Sequence, residues 1–338
     1  MVVLDEIHFP DGRVLRDVPG GSGFYATLGA RLAVPQDEAG SICCLILPGE
    51  DFPAHVIRQI EGWGVEVFCH QIWGPLSTRG RLRYEDETFS AKTFRYTTKP
   101  LRPDVKTTHD RLLQSSVVHV FASPEYFHKR VVLELDVDPF PLLAWEPSPP
   151  DTWKPSESGH WAEYRRATLF ATVVTPSDAE VLAMRGARLD AAKPYPKAVI
   201  EQCALLLAET PVRGRVVIIR CGAEGCLTVS RRGQPIWLPA FHGPGSGKVV
   251  DATGAGNAFV GAFSVTYRRT WDGLLASAYG AVAASFVVEQ VGPPRREAVD
   301  GRELWNGEAF VDRLEEYKAK AAKLNVGLEA GGRVETGR

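Results

Sequence analysis

The stretch DATGAGNAFVGAF (Asp251 to Phe263) sets Gly254, Ala255 and Gly256 directly before a helical pattern whose apolar stripe is Phe259, Ala262 and Phe263. The glycines leave backbone room and can aim N–H groups outward. A helix start carries unpaired N–H donors and a partial positive end, which suits a phosphate or a developing negative charge. Asp251 lies on the turn before the helix, and Asn257 falls in its first turn. A carboxamide there positions a hydroxyl but does not take its proton at neutral pH. Such a helix start also serves simple close packing, so its place in the chain decides between the two readings.

Other short motifs lack the partners their chemistry needs. GPGSGKV (Gly243 to Val249) resembles a phosphate-binding P-loop, but GxxxxGK[ST] would need glycine at His242 and Ser or Thr at Val249. GSGFYATLG would need glycine at Ala26 to read as a dinucleotide fingerprint. The eight histidines form no HExxH, and no GxSxG elbow occurs. Trp145 and Glu146 end an apolar run at WEPSPP, a place where ligands gather in α/β sheets.

The elements that must position these residues alternate between strand and helix. A glycine turn and helix occupy Pro19 to Leu32, and SICCLILPGED reads as a buried strand. HVIRQIEGWGVEVFCH reads as an amphipathic helix, a stop at Gly64 and a second strand. Between Ser77 and Thr98, polar residues alternate with Leu82, Tyr84, Phe89, Phe94 and Tyr96, which predicts a hairpin with one apolar face. The α/β rhythm resumes with VVHVFASPEYF, PLLAWEPSPP and LFATVVTPSDAEVLAM, in which Ser177 or Asp178 caps a helix. RVVIIRCGAEGCLTVS predicts two strands joined by a turn at Gly222 and Gly225, and a second apolar helix runs from Asp272 toward Gln290. This order predicts a parallel sheet covered on both faces.

Composition bounds the partners. With 338 residues, 44% hydrophobic and 24% charged, the chain buries a full core and is not a disordered polymer. Its formal net charge of −2, with no run of like charges, argues against nucleic-acid and membrane-surface binding and favours a small-molecule partner. The six cysteines lie mostly in apolar runs without a CxxC pair and read as reduced core residues. The start lacks a signal-peptide pattern and no run reaches membrane-spanning length, so a cytoplasmic protein is expected.

Taken in order, these motifs resemble the ribokinase-type (PfkB) carbohydrate and nucleoside kinase family. Its C-terminal signature DTxGAGDxF is matched by Asp251 to Phe259, its N-terminal glycine pair by Gly20 and Gly21, and its NxxE element by Ser177 to Glu180. Its nucleotide-side turn is matched by Gly222 and Gly225, and its lid by the Ser77 to Thr98 insert. WEP, TFRYTT and GAGNAF further resemble a fungal subgroup that includes killer-virus maintenance proteins. The resemblance implies a ribokinase-like three-layer α/β/α sandwich over residues 1–327, with a small β lid from about 5–18 and 76–98 and a flexible tail at 328–338. It implies that Gly254, Ala255 and Gly256 form the anion hole and that Arg220, Gly222, Gly225 and Thr253 border ATP. It places Asp5, Gly20, Gly21 and Tyr25 toward the phosphate acceptor. Glu180 would order the waters of Mg2+, and Asp251 would belong to a turn that holds a monovalent cation. Homodimerisation through the lid is implied as well.

Three residues depart from the pattern. Asn257 stands where the family has the aspartate that takes the acceptor's proton, Ser177 replaces the asparagine of NxxE, and Tyr25 replaces a polar residue after the glycine pair. Asp251 and His242 are the nearby groups able to replace the base, although spacing places neither beside Asn257. Expected is an ATP-dependent phosphotransferase acting on a hydroxyl of a sugar, nucleoside or related metabolite. A nucleotide-binding pseudokinase is the alternative, and a cleft repurposed for another reaction is the third reading.

Overall fold

The computed structural model describes the chain except residues 87–88, 90, 105–106, 136, 149–159, 191, 231–232, 325, 327 and 329–338. The expected tail therefore lies almost wholly outside the described residues. Contacts divide the chain into two compact units: Met1–Leu113 with Pro244–Ala262 and Val282–Leu314, and Gln114–Gly243 with Phe263–Ala281 and Glu315–Arg338.

In the first unit, β1 (Val3–His8) pairs antiparallel with β2 (Val14–Gly20). The chain then enters the helix Gly21–Leu32, followed by β3 (Cys43–Ile46) and β4 (Glu66–Cys69), a separate parallel pair. Two further strands, β5 (Arg79–Tyr84) and β6 (Lys92–Tyr96), form the expected hairpin and extend the first sheet to the order β2-β1-β5-β6. Period-two alternation puts Ile7, Phe9, Leu82 and Tyr84 into one buried cluster. On β6, the last strand of that sheet among the described residues, Phe94 and Tyr96 of the apolar face stay 49% and 41% exposed. A short hairpin, Arg296–Val299 with Arg302–Trp305, completes the unit's strands.

Two helices of this unit touch backbone to backbone. A methyl group on Gly29 would lie 1.9 Å from the Ala258 carbonyl oxygen, and one on Gly261 would lie 1.9 Å from that of Ala26. Only glycine permits so close a crossing. The contact ties the helix after the N-terminal glycine pair to the first half of the helix Ala255–Thr270. Arg31, fully buried, secures the far end by donating to the Trp63 carbonyl (2.6 Å) and pairing with Glu303.

The second unit is built on a six-stranded sheet. Strands β7 (Val117–Ala122), β8 (Leu142–Pro147), β9 (Val173–Val174) and β10 (Val216–Arg220) run parallel. Antiparallel β11 (Cys226–Ser230) and β12 (Ile236–Leu238) close one edge. The continuous runs LLAWEP and VVIIR are buried on both faces, as parallel strands require. Phe127, Trp145 and Tyr164 stack within this core. The strand predicted from Leu169 begins only at Val173, because Thr168 to Ala171 form a turn that leaves Leu169 and Phe170 partly exposed. The helix His160–Thr168, strand β12 and the Arg296–Trp305 hairpin carry too weak a pattern to be read from sequence.

Ser177 caps the helix Asp178–Met184 with a full capping box: its hydroxyl accepts from the Glu180 N–H and its own N–H donates to Glu180 Oε2 at 2.7 Å. Asp272 accepts from the N–H groups of Leu274 and Leu275 at the start of the apolar helix Gly273–Val287. None of the six cysteines is in a disulfide; four are buried, Cys43 is partly so and Cys69 is exposed. Among the described residues no helix is long and apolar enough to cross a membrane.

Candidate functional site

The signature turn is held by its first residue. Asp251, 3% exposed, accepts at Oδ1 from the Thr253 N–H (3.0 Å) and the Thr253 hydroxyl (2.7 Å). This local Asx geometry folds the turn without help from distant sequence. Two residues of the β5–β6 hairpin then close on it. The Tyr84 hydroxyl donates to Asp251 Oδ2 at 2.7 Å, and the Lys92 ammonium lies 3.3 Å from Oδ1 and donates to Thr253 Oγ1 at 2.6 Å. Burial and the Asp251 carboxylate both raise the Tyr84 hydroxyl, so it stays a donor. With both carboxylate oxygens accepting from protein donors and Lys92 supplying the positive charge, this donor set does not fit a monovalent cation on the Asp251 side chain.

The next residue, Gly254, has φ +82°, and a methyl group on it would lie 2.4 Å from three ring carbons of Tyr25. Tyr25 is 3% exposed and braces the turn from below. Ala255, Gly256 and Asn257 follow in the first turn of the helix, whose N–H groups have no acceptor within the helix itself, and the Ala255 N–H donates to the Ala252 carbonyl of the preceding turn at 3.3 Å.

Asp5 lies in β1 opposite Gly80 of β5, and Gly80 lies opposite Tyr96 of β6. The carboxyl fits where two glycines lack side chains: a methyl on Gly20 would meet Asp5 Oδ2 at 2.2 Å, and one on Gly80 would meet Asp5 Oδ1 at 2.8 Å and the Phe94 ring at 2.4 Å. Asp5 is 7% exposed and its Oδ1 has no hydrogen-bond partner. Burial pushes its pKa up to about 7. Gly21, the first residue of its helix, has φ +85° and packs on Val3 and Met1.

The remaining predicted residues belong to the second unit. Arg220 ends β10 and pairs with Glu146 (2.8 Å) and Glu180 (3.4 Å) while donating to the Thr175 carbonyl (2.9 Å). His119 bonds Glu146 at 3.0 Å. Glu146 and Arg220 lie at the C-terminal ends of parallel strands β8 and β10, the usual ligand side of open α/β sheets. Burial raises the Glu180 carboxyl while Arg220 opposes the rise. A carboxylate beside structured polar groups fits a magnesium ion bound through its waters and a nucleotide's phosphates, the mode magnesium prefers. Among the described residues no three His, Cys, Asp or Glu side chains form a metal cage. Gly222 and Gly225 frame a single 3₁₀ turn with φ +52° and +90°, and a methyl on Gly225 would lie 2.0 Å from the Leu238 carbonyl oxygen.

Sequence reasoning singled out the glycines and Asp251 but not Lys92, Tyr84 or His119 as contributors. The available signal for Lys92 and Tyr84 was their position on the inserted hairpin; nothing local marks a partner some 160 residues away in the chain.

Residues 153–296 match the model of the pfkB family of carbohydrate kinases. Over 94% of its length the chain is 30% identical to an uncharacterized protein of Schizosaccharomyces pombe, covering 91% of that protein. It is 27% identical to the protein MAK32 of Saccharomyces cerevisiae, over 95% of this chain and 91% of that one. Among solved structures, a candidate ribokinase II of Escherichia coli in complex with ATP and Mg2+ superposes with a TM-score of 0.64 at 14% identity, over 94% of this chain and 97% of that one. The chain belongs to the pfkB carbohydrate kinase family, in its fungal subgroup, and has the ribokinase-like α/β fold of sugar and nucleoside kinases.

Proposed function

We propose that the protein is an ATP-dependent phosphotransferase that moves the γ-phosphate of ATP to a hydroxyl of a sugar, nucleoside or related small metabolite. The observation that carries this reading is the Asp251–Gly254 turn, built and braced so that a helix start follows it directly. Phosphoryl transfer passes through a loose transition state whose catalysis is mainly positioning and charge stabilisation. Gly254, Ala255 and Gly256 receive the charge on the phosphoryl oxygens at the positive end of the helix, the Ala255 N–H being shared with the Ala252 carbonyl at 3.3 Å. Lys92, fixed on Thr253, adds a cation beside them. Asn257 orients the acceptor hydroxyl. The carboxyl of Asp5, unpartnered at Oδ1 and flanked by the exposed Phe94 ring, suits an acceptor with hydroxyls on a flat ring. On the nucleotide side, Arg220, Gly222, Gly225 and Thr253 border ATP, and Glu180 orders the waters of magnesium. Magnesium, when bound, neutralises the phosphate charge.

The exposed edge strand β6, with Phe94 and Tyr96, supports the reading of the four-stranded sheet as a lid that pairs with a second copy. In this reading residues 1–327 act as one ribokinase-like domain that carries this lid and works on a small-molecule substrate in the cytoplasm.

Asn257 favours a second reading, a pseudokinase that keeps nucleotide binding and has lost turnover. Calorimetric titration with MgATP, followed by ADP release across pentoses, hexoses and nucleosides, separates the two. Acceptor-dependent ADP release supports the transferase, binding without release supports the pseudokinase, and neither binding nor release rejects both.

A further inference from the structure

Tyr84 and Lys92 stand opposite each other at one end of the β5–β6 register, and both reach the same carboxylate. Tyr84 donates to Asp251 Oδ2 at 2.7 Å, and the Lys92 ammonium lies 3.3 Å from Oδ1. The Thr253 hydroxyl links the charges: it donates its one proton to Asp251 Oδ1 at 2.7 Å and accepts from Lys92 at 2.6 Å. The Asp251 side chain is only 2% exposed. A carboxylate so enclosed needs a countercharge, and here the chain supplies it.

A second group of oxygens lies beside this turn. The N–H groups of Val250 and Asp251 donate at 2.7 and 3.0 Å to the carbonyl of Val288, just past the end of the helix Gly273–Val287. The end of a helix leaves carbonyls without intrahelical partners and forms a negative pole that attracts cations. The carbonyls of Phe286, Val287 and Gly292 converge on one nitrogen, Gln290 Nε2, at 2.9, 3.1 and 3.3 Å. Asn306 holds that amide in place by donating to Gln290 Oε1 at 2.8 Å. Converging backbone carbonyls are the ligands a potassium ion takes in place of water. In this chain a carboxamide takes them.

We propose that Lys92 is the resident monovalent cation of the signature turn and that the Gln290 amide satisfies the carbonyls beside it. The helix start at 254–256 is thereby held ready for MgATP without potassium or sodium. This deepens the nucleotide-binding reading and rests on it. Lys92 is a positioning residue: it fixes Asp251 and Thr253, the residues that lead into Gly254. One carboxylate needs one positive charge, and a tethered ammonium provides it at a local concentration that the salt of the medium does not set.

The test uses the full-length chain in potassium, ammonium and tetramethylammonium chloride at equal ionic strength, so that screening is constant. Tetramethylammonium has no N–H to donate and is too bulky for a cage of protein oxygens. Thermal melting and calorimetric titration with MgATP are the two readouts. Wild type gives one melting temperature, and MgATP affinities that agree within about twofold, in all three salts. In tetramethylammonium chloride, Lys92→Met binds MgATP about 10–10²-fold more weakly than wild type. Potassium or ammonium restores most of that loss and raises the variant's melting temperature. Lys92→Gln, which keeps an N–H donor without the charge, carries the same prediction where the methionine variant does not fold. Lys318→Met, which removes an exposed partner of Glu315, stays indifferent to the salt. Wild type that melts higher or binds MgATP more tightly in potassium than in tetramethylammonium overturns the assignment while the nucleotide reading stands. A Lys92 variant whose loss is equal in all three salts overturns it as well. Wild type that binds no MgATP in any salt overturns the nucleotide reading, and the melting temperatures then decide whether Lys92 is the resident cation.

Discussion

The ring of Tyr25 lies flat against Gly254, so close that a methyl group there would come within 2.4 Å of three of its carbons. The residue that opens the signature helix is thereby fixed by a side chain from the helix that follows the N-terminal glycine pair. Gly254→Ala must overcome both this contact and a backbone at φ +82°. It is expected to destabilise the protein by about 2–4 kcal/mol. Tyr25→Leu in the same chain should recover part of that loss, a non-additivity that denaturant titration of the four variants measures directly.

Backbone contact between helices makes a harsher prediction. Gly29→Ala and Gly261→Ala each drive a methyl to 1.9 Å of a carbonyl oxygen, and the backbone they meet has no rotamer to yield. Both should fail to give soluble folded protein. Gly40→Ala, with nothing within 4 Å, should stay within about 0.5 kcal/mol of wild type.

Lys92 and Tyr84 join the hairpin to the signature turn. Lys92→Met leaves the Tyr84 and Thr253 bonds to Asp251 in place, so the fold persists. Backbone amides of β5 and β6 should nevertheless exchange with deuterium faster than in wild type, while those of β8 and β10 keep their protection. Equal protection in β5 and β6 would remove the role of the ammonium in holding the hairpin.

Asp5 sets a pH dependence of stability. Its folded pKa of about 7 lies above the ordinary 3.8, so the folded state binds the proton more tightly than the unfolded chain. Its penalty is absent below about pH 4, grows between pH 4 and 7, and is constant above. A rise of this size corresponds to on the order of 4 kcal/mol. Asp5→Asn should therefore stabilise the protein at pH 8 and lose that advantage at pH 4, as thermal melts at the two values would record.

Features encoded by neighbouring residues were legible in the sequence. The Ser177 cap, the Gly222–Gly225 turn and the buried runs of β8 and β10 each follow from a few adjacent side chains. What distant residues decide was not. Tyr25 reads as a residue facing an acceptor pocket, yet its ring is buried beneath Gly254. Phe94 and Tyr96 read as the apolar face of a hairpin, and on β6 they stay exposed. The pairing of Lys92 with Asp251 depends on a long-range approach that no periodicity reports. Within the candidate site, the glycine positions are local and readable, while the charges that surround them are set by tertiary structure.

The most direct test of the phosphotransferase reading follows the γ-phosphate itself. Wild-type protein is incubated with magnesium and ATP labelled at the γ-phosphorus, together with each member of a sugar and nucleoside panel, and the products are separated. The account predicts that label appears in one acceptor as a phosphate ester, with an equal amount of ADP formed. Label that stays in ATP with every acceptor, or is released only as inorganic phosphate, would contradict it.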